Sequence, residues 1–202
     1  MARKGKAVVC RELNKPVVVE EVSVDSPKRG EVMVKVAACG VCHSDLSATN
    51  GTIAMAPPLV LGHEGAGEVV EVGEGVAGFA VGDHVVASFI YMCGKCRFCS
   101  SGRPVLCVEQ GKALTTPPEG TPRVHDASGK PLGIFSGCGV MAEYATLSVD
   151  NLVKIDAKIR PLLMVIPDLV HPRPSPCPRE LVVSLSPRVG VAGNESVARV
   201  LA

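Results

Sequence analysis

The chain has 202 residues, of which 47% are hydrophobic, 3% are aromatic and none is Trp, so any core must be aliphatic. That length suits one ordinary domain with a second small one beside it. The formal net charge is +1, and no basic stripe is interleaved with aromatics, which argues against nucleic-acid or membrane-surface binding driven by bulk charge.

The basic opening, Met1 to Lys6, is followed by no apolar run of signal-peptide length. The longest apolar stretches are interrupted by Asp83, His84 or Asp168, so none spans a bilayer. A cytoplasmic protein with no membrane partner is expected. Nine cysteines in a reducing compartment read as metal ligands or buried thiols rather than disulfides.

Short Val-rich runs predict strands over Lys6–Cys10, Val17–Val22, Val32–Ala37, Glu68–Val72 and His84–Phe89. Turn signals at Ser26–Gly30, Gly73–Gly75 and Gly82–Asp83 separate them. Val32, Val34 and Val36 alternate with Met33 and Lys35, the period of a half-buried strand. His43–Asn50 reads as one short helix with Ser44 and Asp45 in its first turn. Many short strands with Gly-rich turns favour a barrel or sandwich over a doubly wound sheet. From Arg160 the composition changes. Pro172-Arg173-Pro174-Ser175-Pro176-Cys177-Pro178 fits neither helix nor central strand and reads as linker or disorder. Residues 189–201 are long enough for one short helix.

Cys93, Cys96, Cys99 and Cys107 have the spacing C-x2-C-x2-C-x7-C. Structural zinc takes four soft ligands in a closed tetrahedron. The two-residue gaps let thiolates converge, and Gly94, Gly102 and Pro104 turn the chain back for the fourth. The alternatives are an iron–sulfur cluster, although bacterial clusters continue as x3-Cys-Pro, or free thiols. The lobe is poor in apolar residues, so an ion must supply much of its folding energy.

A second constellation joins Cys39-Gly40-Val41-Cys42-His43-Ser44-Asp45 to Gly62-His63-Glu64-Gly65-Ala66-Gly67. Catalytic zinc uses three protein ligands and leaves one position open. Cys42 and His63 are candidates for two of the three, with Asp45 behind His63 and Glu64 beside it. Each also has a plain reading, Cys42 as a small buried hydrophobe and His63 as a satisfied polar group.

These segments, with Val81-Gly82-Asp83-His84-Val85, Glu143-Tyr144 and Leu152–Asp156, occur in the order and approximate spacing of zinc-containing medium-chain alcohol dehydrogenases. The resemblance runs from about Lys6 to Ile159. It implies a mainly β fold, a GroES-like, partly open β-barrel with a few short helices and an irregular C-terminal tail. Residues 1–159 would be the catalytic domain, carrying a structural zinc lobe at about 91–108, and 160–202 a Pro-rich divergent tail, poorly ordered. The resemblance further implies a structural zinc on Cys93, Cys96, Cys99 and Cys107 and a catalytic zinc on Cys42 and His63, with Glu64 close behind. Ser44 would pass the alcohol proton outward and His43 would lie near the pyrophosphate of NAD. The zinc would act as Lewis acid while hydride passes to the nicotinamide. The substrate would be a small alcohol or aldehyde, and the full-length form a homo-oligomer.

The chain departs from that family in three places. The third zinc ligand, usually a Cys in a Gly-Cys-Gly turn after the strand matched by Leu152–Asp156, is missing. Cys177 sits among prolines, and Cys138 precedes the Glu-Tyr strand. Ser47 stands where many members place the outer relay His. A dinucleotide fold needs two βαβαβ halves, more chain than follows Ile159, and Gly137-x-Gly139-x-x-Ala142 leads into a strand-like run instead of a helix. The tail suggests a reading-frame change or truncated gene. The expected function is therefore a zinc-dependent, NAD-linked alcohol dehydrogenase of which this chain is the catalytic domain. The alternatives are a catalytically inactive truncated zinc-binding module and a co-chaperonin-like ring subunit sharing only the barrel.

Overall fold

The computed structural model describes residues 2–118, 120–156, 158–159 and 181–183. Strands dominate: β1 Arg3–Cys10, β2 Val18–Val24, β3 Glu31–Val41, β4 Leu59–Val60, β5 Gly65–Val72, β6 His84–Ala87, β7 Val124–Asp126, β8 Pro131–Ile134, β9 Tyr144–Ser148, β10 Leu152–Ile155 and β11 Leu181–Val183. Among the described residues the α-helices are α1 His43–Thr49, between β3 and β4, and α2 Arg97–Ser100, after β6. Each strand run expected from the sequence overlaps an observed strand. β4, β7 and β8 were not anticipated, because two to four residues carry too little periodicity to register.

Two sheets form. In the first, β1, β2, β7, β8 and β4 close into a ring, with β4 parallel to β8 and antiparallel to β1. In the second, the order is β10-β6-β5-β3-β11, with β9 also paired to β3. The mainly β, GroES-like expectation holds, and the openness lies in this second sheet rather than in the ring.

The period-2 pattern of β1 and β3 explains how the sheets share their interiors. In β1, Val8 and Cys10 enter one core while Ala7 and Val9 enter another. In β3, Val32 and Val34 face the first core and Met33 the second. The half-buried reading of β3 is therefore corrected at its start, where Met33 is 0% exposed: both faces of the strand are covered. Lys35 is the exposed position. Each fully buried Val or Met contributes about 1.5–3 kcal/mol.

One ion pair ties the sheets together. Arg123, immediately before β7, donates Nε and Nη2 to the Glu31 carboxylate at 2.9 and 3.0 Å. Both side chains are almost fully buried. The carboxylate also accepts the Lys28 N–H at 2.9 Å. Arg123 donates again to the carbonyls of Thr121 and Pro122.

β11 belongs to the C-terminal segment that the sequence marks as irregular, and it adds to the β3 edge in antiparallel register. The Pro172–Pro178 run and the helix expected over 189–201 lie outside the described residues. Among the described residues, no helix is long and apolar enough to cross a membrane.

Candidate metal centres

The lobe grows from the chain after β6. Cys93 and Cys96 precede α2, Cys99 lies within it, and Cys107 follows a 3-10 turn at Pro104–Leu106. Neither α2 nor that turn buries a residue, so apolar packing does not hold the lobe's shape. The four sulfur atoms lie within 4.8 Å of one another. A tetrahedral ion with Zn–S bonds of about 2.3 Å requires sulfurs about 3.8 Å apart, so one ion fits with small adjustments. A four-iron cluster takes one thiolate per iron and spreads its sulfurs further.

Backbone donors already favour thiolate there. Cys93 N–H points at the Cys107 sulfur at 3.5 Å and Cys96 N–H at the Cys93 sulfur at 3.4 Å. Hydrogen bonds from the backbone of Cys99 and Val108 pull the Cys96 thiol down to about 6. The backbone of Cys93 lowers Cys107 likewise. Desolvation and the Cys96 sulfur, 3.5 Å away, push Cys99 up to about 12. Such a set shares protons among crowded sulfurs, and a divalent ion removes the conflict.

The second centre forms where β3 hands over to α1. Cys42 is the N-cap of α1, and its N–H donates to Asp45 Oδ2 at 3.1 Å. Asp45 Oδ1 accepts the Gly62 N–H at 2.9 Å and stands 3.5 Å from His63 Nδ1. Asp45 is 0% exposed. One carboxylate therefore fixes both the helix start and the turn that carries His63. Gly62 has φ +92°, and a Cβ there would meet Met141 N at 2.4 Å, so the turn admits no side chain.

Cys42 Sγ, a His63 ring nitrogen and a Glu64 carboxylate oxygen lie within 4.8 Å of one another. Ser44 Oγ sits 3.0 Å from the Cys42 sulfur and 3.2 Å from His63 Nε2. Glu64 Oε1 is 3.6 Å from that nitrogen. A soft thiolate, an imidazole and a carboxylate suit zinc, with the carboxylate behind His63 in the role that orients such ligands. The sequence did not reveal the two rings that hold His63 edge-on, Phe89 at 5.7 Å and Phe135 at 5.1 Å, because neither stands in a motif.

Of the residues singled out from sequence, Cys42, Ser44, His63 and Glu64 come together here, and Cys93, Cys96, Cys99 and Cys107 come together in the lobe. His43 is exposed on α1, with Nδ1 3.4 Å from Ser47 Oγ. Cys138 is not in the cluster. It is buried with its sulfur 3.6 Å from the Ser88 carbonyl, and burial raises its thiol to about 12. Cys177 lies outside the described residues. Residues 138–143 form no helix, and the chain runs on into β9.

A β-barrel ring fused to an open sheet, with a four-sulfur lobe and a Cys–His–Glu cluster, places the chain among GroES-like domains. The chain belongs to the alcohol dehydrogenase GroES-like domain family, whose model matches residues 28–157. It is 44% identical over 158 residues to the S-(hydroxymethyl)glutathione dehydrogenase of Escherichia coli O6:H1, covering 76% of this chain and 42% of that protein. An alcohol dehydrogenase zinc-binding domain protein from Burkholderia ambifaria superposes with a TM-score of 0.78 at 33% identity, over 82% of this chain and 45% of its own. Benzyl alcohol dehydrogenase from Acinetobacter calcoaceticus gives 0.73 at 30% identity, over 81% and 44%. The chain thus spans less than half the length of these relatives.

Proposed function

We propose that this chain is the catalytic-domain portion of a zinc-dependent, NAD-linked alcohol dehydrogenase that interconverts a small alcohol and its aldehyde or ketone. The observation that carries the reading is the convergence of Cys42, His63 and Glu64 on one point with the Ser44 hydroxyl between sulfur and imidazole. In this reading Cys42 and His63 hold the catalytic zinc, Glu64 backs them, and Cys93, Cys96, Cys99 and Cys107 hold a structural zinc. When bound, the catalytic zinc supplies a Lewis acid that lowers the pKa of the alcohol, and NAD supplies the hydride acceptor.

The protein's own residues do the rest. The Ser44 hydroxyl both donates and accepts, so it takes the alcohol proton and passes it outward. Asp45 keeps the His63 ring oriented through the Nδ1 side. Phe89 and Phe135 wall the ring with apolar surface. His43, exposed one residue from Cys42, would lie near the cofactor pyrophosphate. The whole protein acts in the cytoplasm as a homo-oligomer, on small-molecule substrates, with no nucleic-acid or membrane partner. Residues 1–159 form its catalytic domain and 160–202 a Pro-rich divergent tail.

A second reading, an inactive zinc-binding module, is favoured by one observation: the described residues contain no βαβ unit that would bind a dinucleotide. Metal analysis and NAD calorimetry on the purified chain test both. We expect one tightly held zinc per chain, a second held weakly, and no NAD binding until a dinucleotide-binding domain is supplied. A chain that takes up zinc only in the lobe, with or without that domain, rules out the dehydrogenase reading in favour of the inactive module.

A further inference from the structure

We infer that the edge of β3 at Cys39–Val41 is a strand-binding site whose occupant is the chain's own Leu181–Val183, and that this strand positions Cys42 for metal binding. The second half of the statement rests on the proposed role of Cys42. The first half does not.

The register carries the argument. On one side, β3 pairs with β5 over Val32 to Cys39. On the other, β9 covers Glu31 to Lys35, and the contact continues with Val36 N–H donating to the Glu143 carbonyl at 3.0 Å. β9 reaches no further. Gly40 N–H donates to the Glu64 carbonyl at 2.8 Å, so Gly40 turns its backbone groups towards β5. Alternation along a strand then turns those of Cys39 and Val41 to the opposite edge. There they face Val183 and Leu181, while Val182 lies opposite Gly40. The hydrogen-bonded pairs are therefore Cys39–Val183 and Val41–Leu181, and the Val182 N–H points away from β3. Unpaired, the Cys39 and Val41 groups would form a short open edge, and an open edge accepts other strands.

The position of this edge gives it a function. Val41 is the residue before Cys42, and Cys42 opens α1 with its N–H on Asp45. That carboxylate also holds Gly62, next to His63. A strand bonded to Val41 fixes the near end of this chain of contacts, and loosening it frees Cys42 relative to His63. Residues 160–180 connect Ile159 to Leu181, a run of 21 residues. Fully extended, it reaches up to about 70 Å, ample for the strand to return to its own domain.

The test uses the full chain in three forms: unmodified, Leu181→Pro with Val183→Pro, and Val182→Pro. Proline removes the N–H donor, so the double variant loses both donors into β3 and the single variant loses one that faces away. Amide hydrogen exchange is read at Cys39, Gly40 and Val41, and cobalt(II) is titrated as a zinc probe. In the double variant we expect exchange at Cys39 and Val41 to quicken at least tenfold while Gly40 stays protected. Cobalt should bind at Cys42 and His63 at least tenfold more weakly, with the four-sulfur lobe unaffected as internal control. Val182→Pro should change both readouts less. A synthetic peptide of residues 179–185 should restore protection to the double variant.

Equal exchange at Cys39 and Val41 in all three forms overturns the strand-binding site. Faster exchange with unchanged cobalt binding at Cys42 and His63 keeps the site and overturns its positioning role. Failure of the unmodified chain to bind cobalt at Cys42 and His63 overturns that role together with the proposed catalytic zinc, and leaves the exchange result standing.

Discussion

Replacing Asp45 by Ala tests the second centre most directly. The carboxylate accepts the N–H groups of Cys42 and Gly62 at 3.1 and 2.9 Å in a position with 0% exposure. A hydrogen bond to a charged acceptor is worth about 1.5–3 kcal/mol, and donors left in the interior add a desolvation cost. Two such bonds put the loss at about 3–6 kcal/mol, a large share of the ~5–15 kcal/mol that stabilises a domain. Urea unfolding reads this as a lower midpoint at unchanged slope. Asp45→Asn keeps one acceptor oxygen, so about half that cost is expected. Because Asp45 also backs His63, the affinity of the second ion should fall about 10–100-fold, while the lobe ion is unaffected. An Asp45→Ala protein within about 1 kcal/mol of its parent, or one whose lobe ion weakens as much as the second, refutes the reasoning.

Three further outcomes follow from the geometry. Arg123→Met or Glu31→Gln alone strands a buried charge and should cost about 3–5 kcal/mol in urea unfolding, whereas the double variant should recover most of it; strictly additive losses would show that the pair is not coupled. The Lys154 ammonium holds Asp83 below the usual carboxylate range, and the Ser128 hydroxyl, backbone N–H groups and Arg11 do so for Asp126. Groups lowered in the folded state stabilise it fully above their ordinary pKa, about 4, and that contribution is lost as pH falls through the lowered values. The urea midpoint should therefore decline below pH ~4, and Asp83→Asn with Asp126→Asn should flatten the decline. Stripping zinc with a chelator should make Lys95 and Arg97 the first sites of tryptic cleavage while the far-ultraviolet dichroism of the strands persists; cleavage spread evenly over the chain would count against an ion-held lobe.

Strand runs with repeated valines were legible in the sequence, as was the four-cysteine lobe, because each rests on local spacing. Cys93 to Cys107 needed only chain order, and the structure brings all four sulfurs together. Cys42 and His63 needed the family's order of motifs, since nothing in their spacing says that β3 and the Gly62 turn meet. The double burial of Met33 was not legible. Period 2 identifies a strand, but a strand with both faces covered looks the same as one with a solvent face until its neighbours are known. β7 and β8 escaped for want of length, although the turn between them was signalled by Asp126, whose carboxylate accepts from the backbone of Ser128 and Lys130. Arg123 gave no sign of burial, because its partner Glu31 is 92 residues away. β11 escaped because three apolar residues amid prolines gave no reason to expect a partner.

The two-sided burial of β1 and β3 bears on how the domain comes apart. Pulling either strand loose would bare side chains on both of its faces at once, so neither half of the molecule has a seam along which to open first. Heat or urea should therefore melt the ring and the open sheet in one step, with coincident curves from every spectroscopic probe placed in them. The four-sulfur lobe, whose helix and turn bury no residue, is the part that can let go on its own.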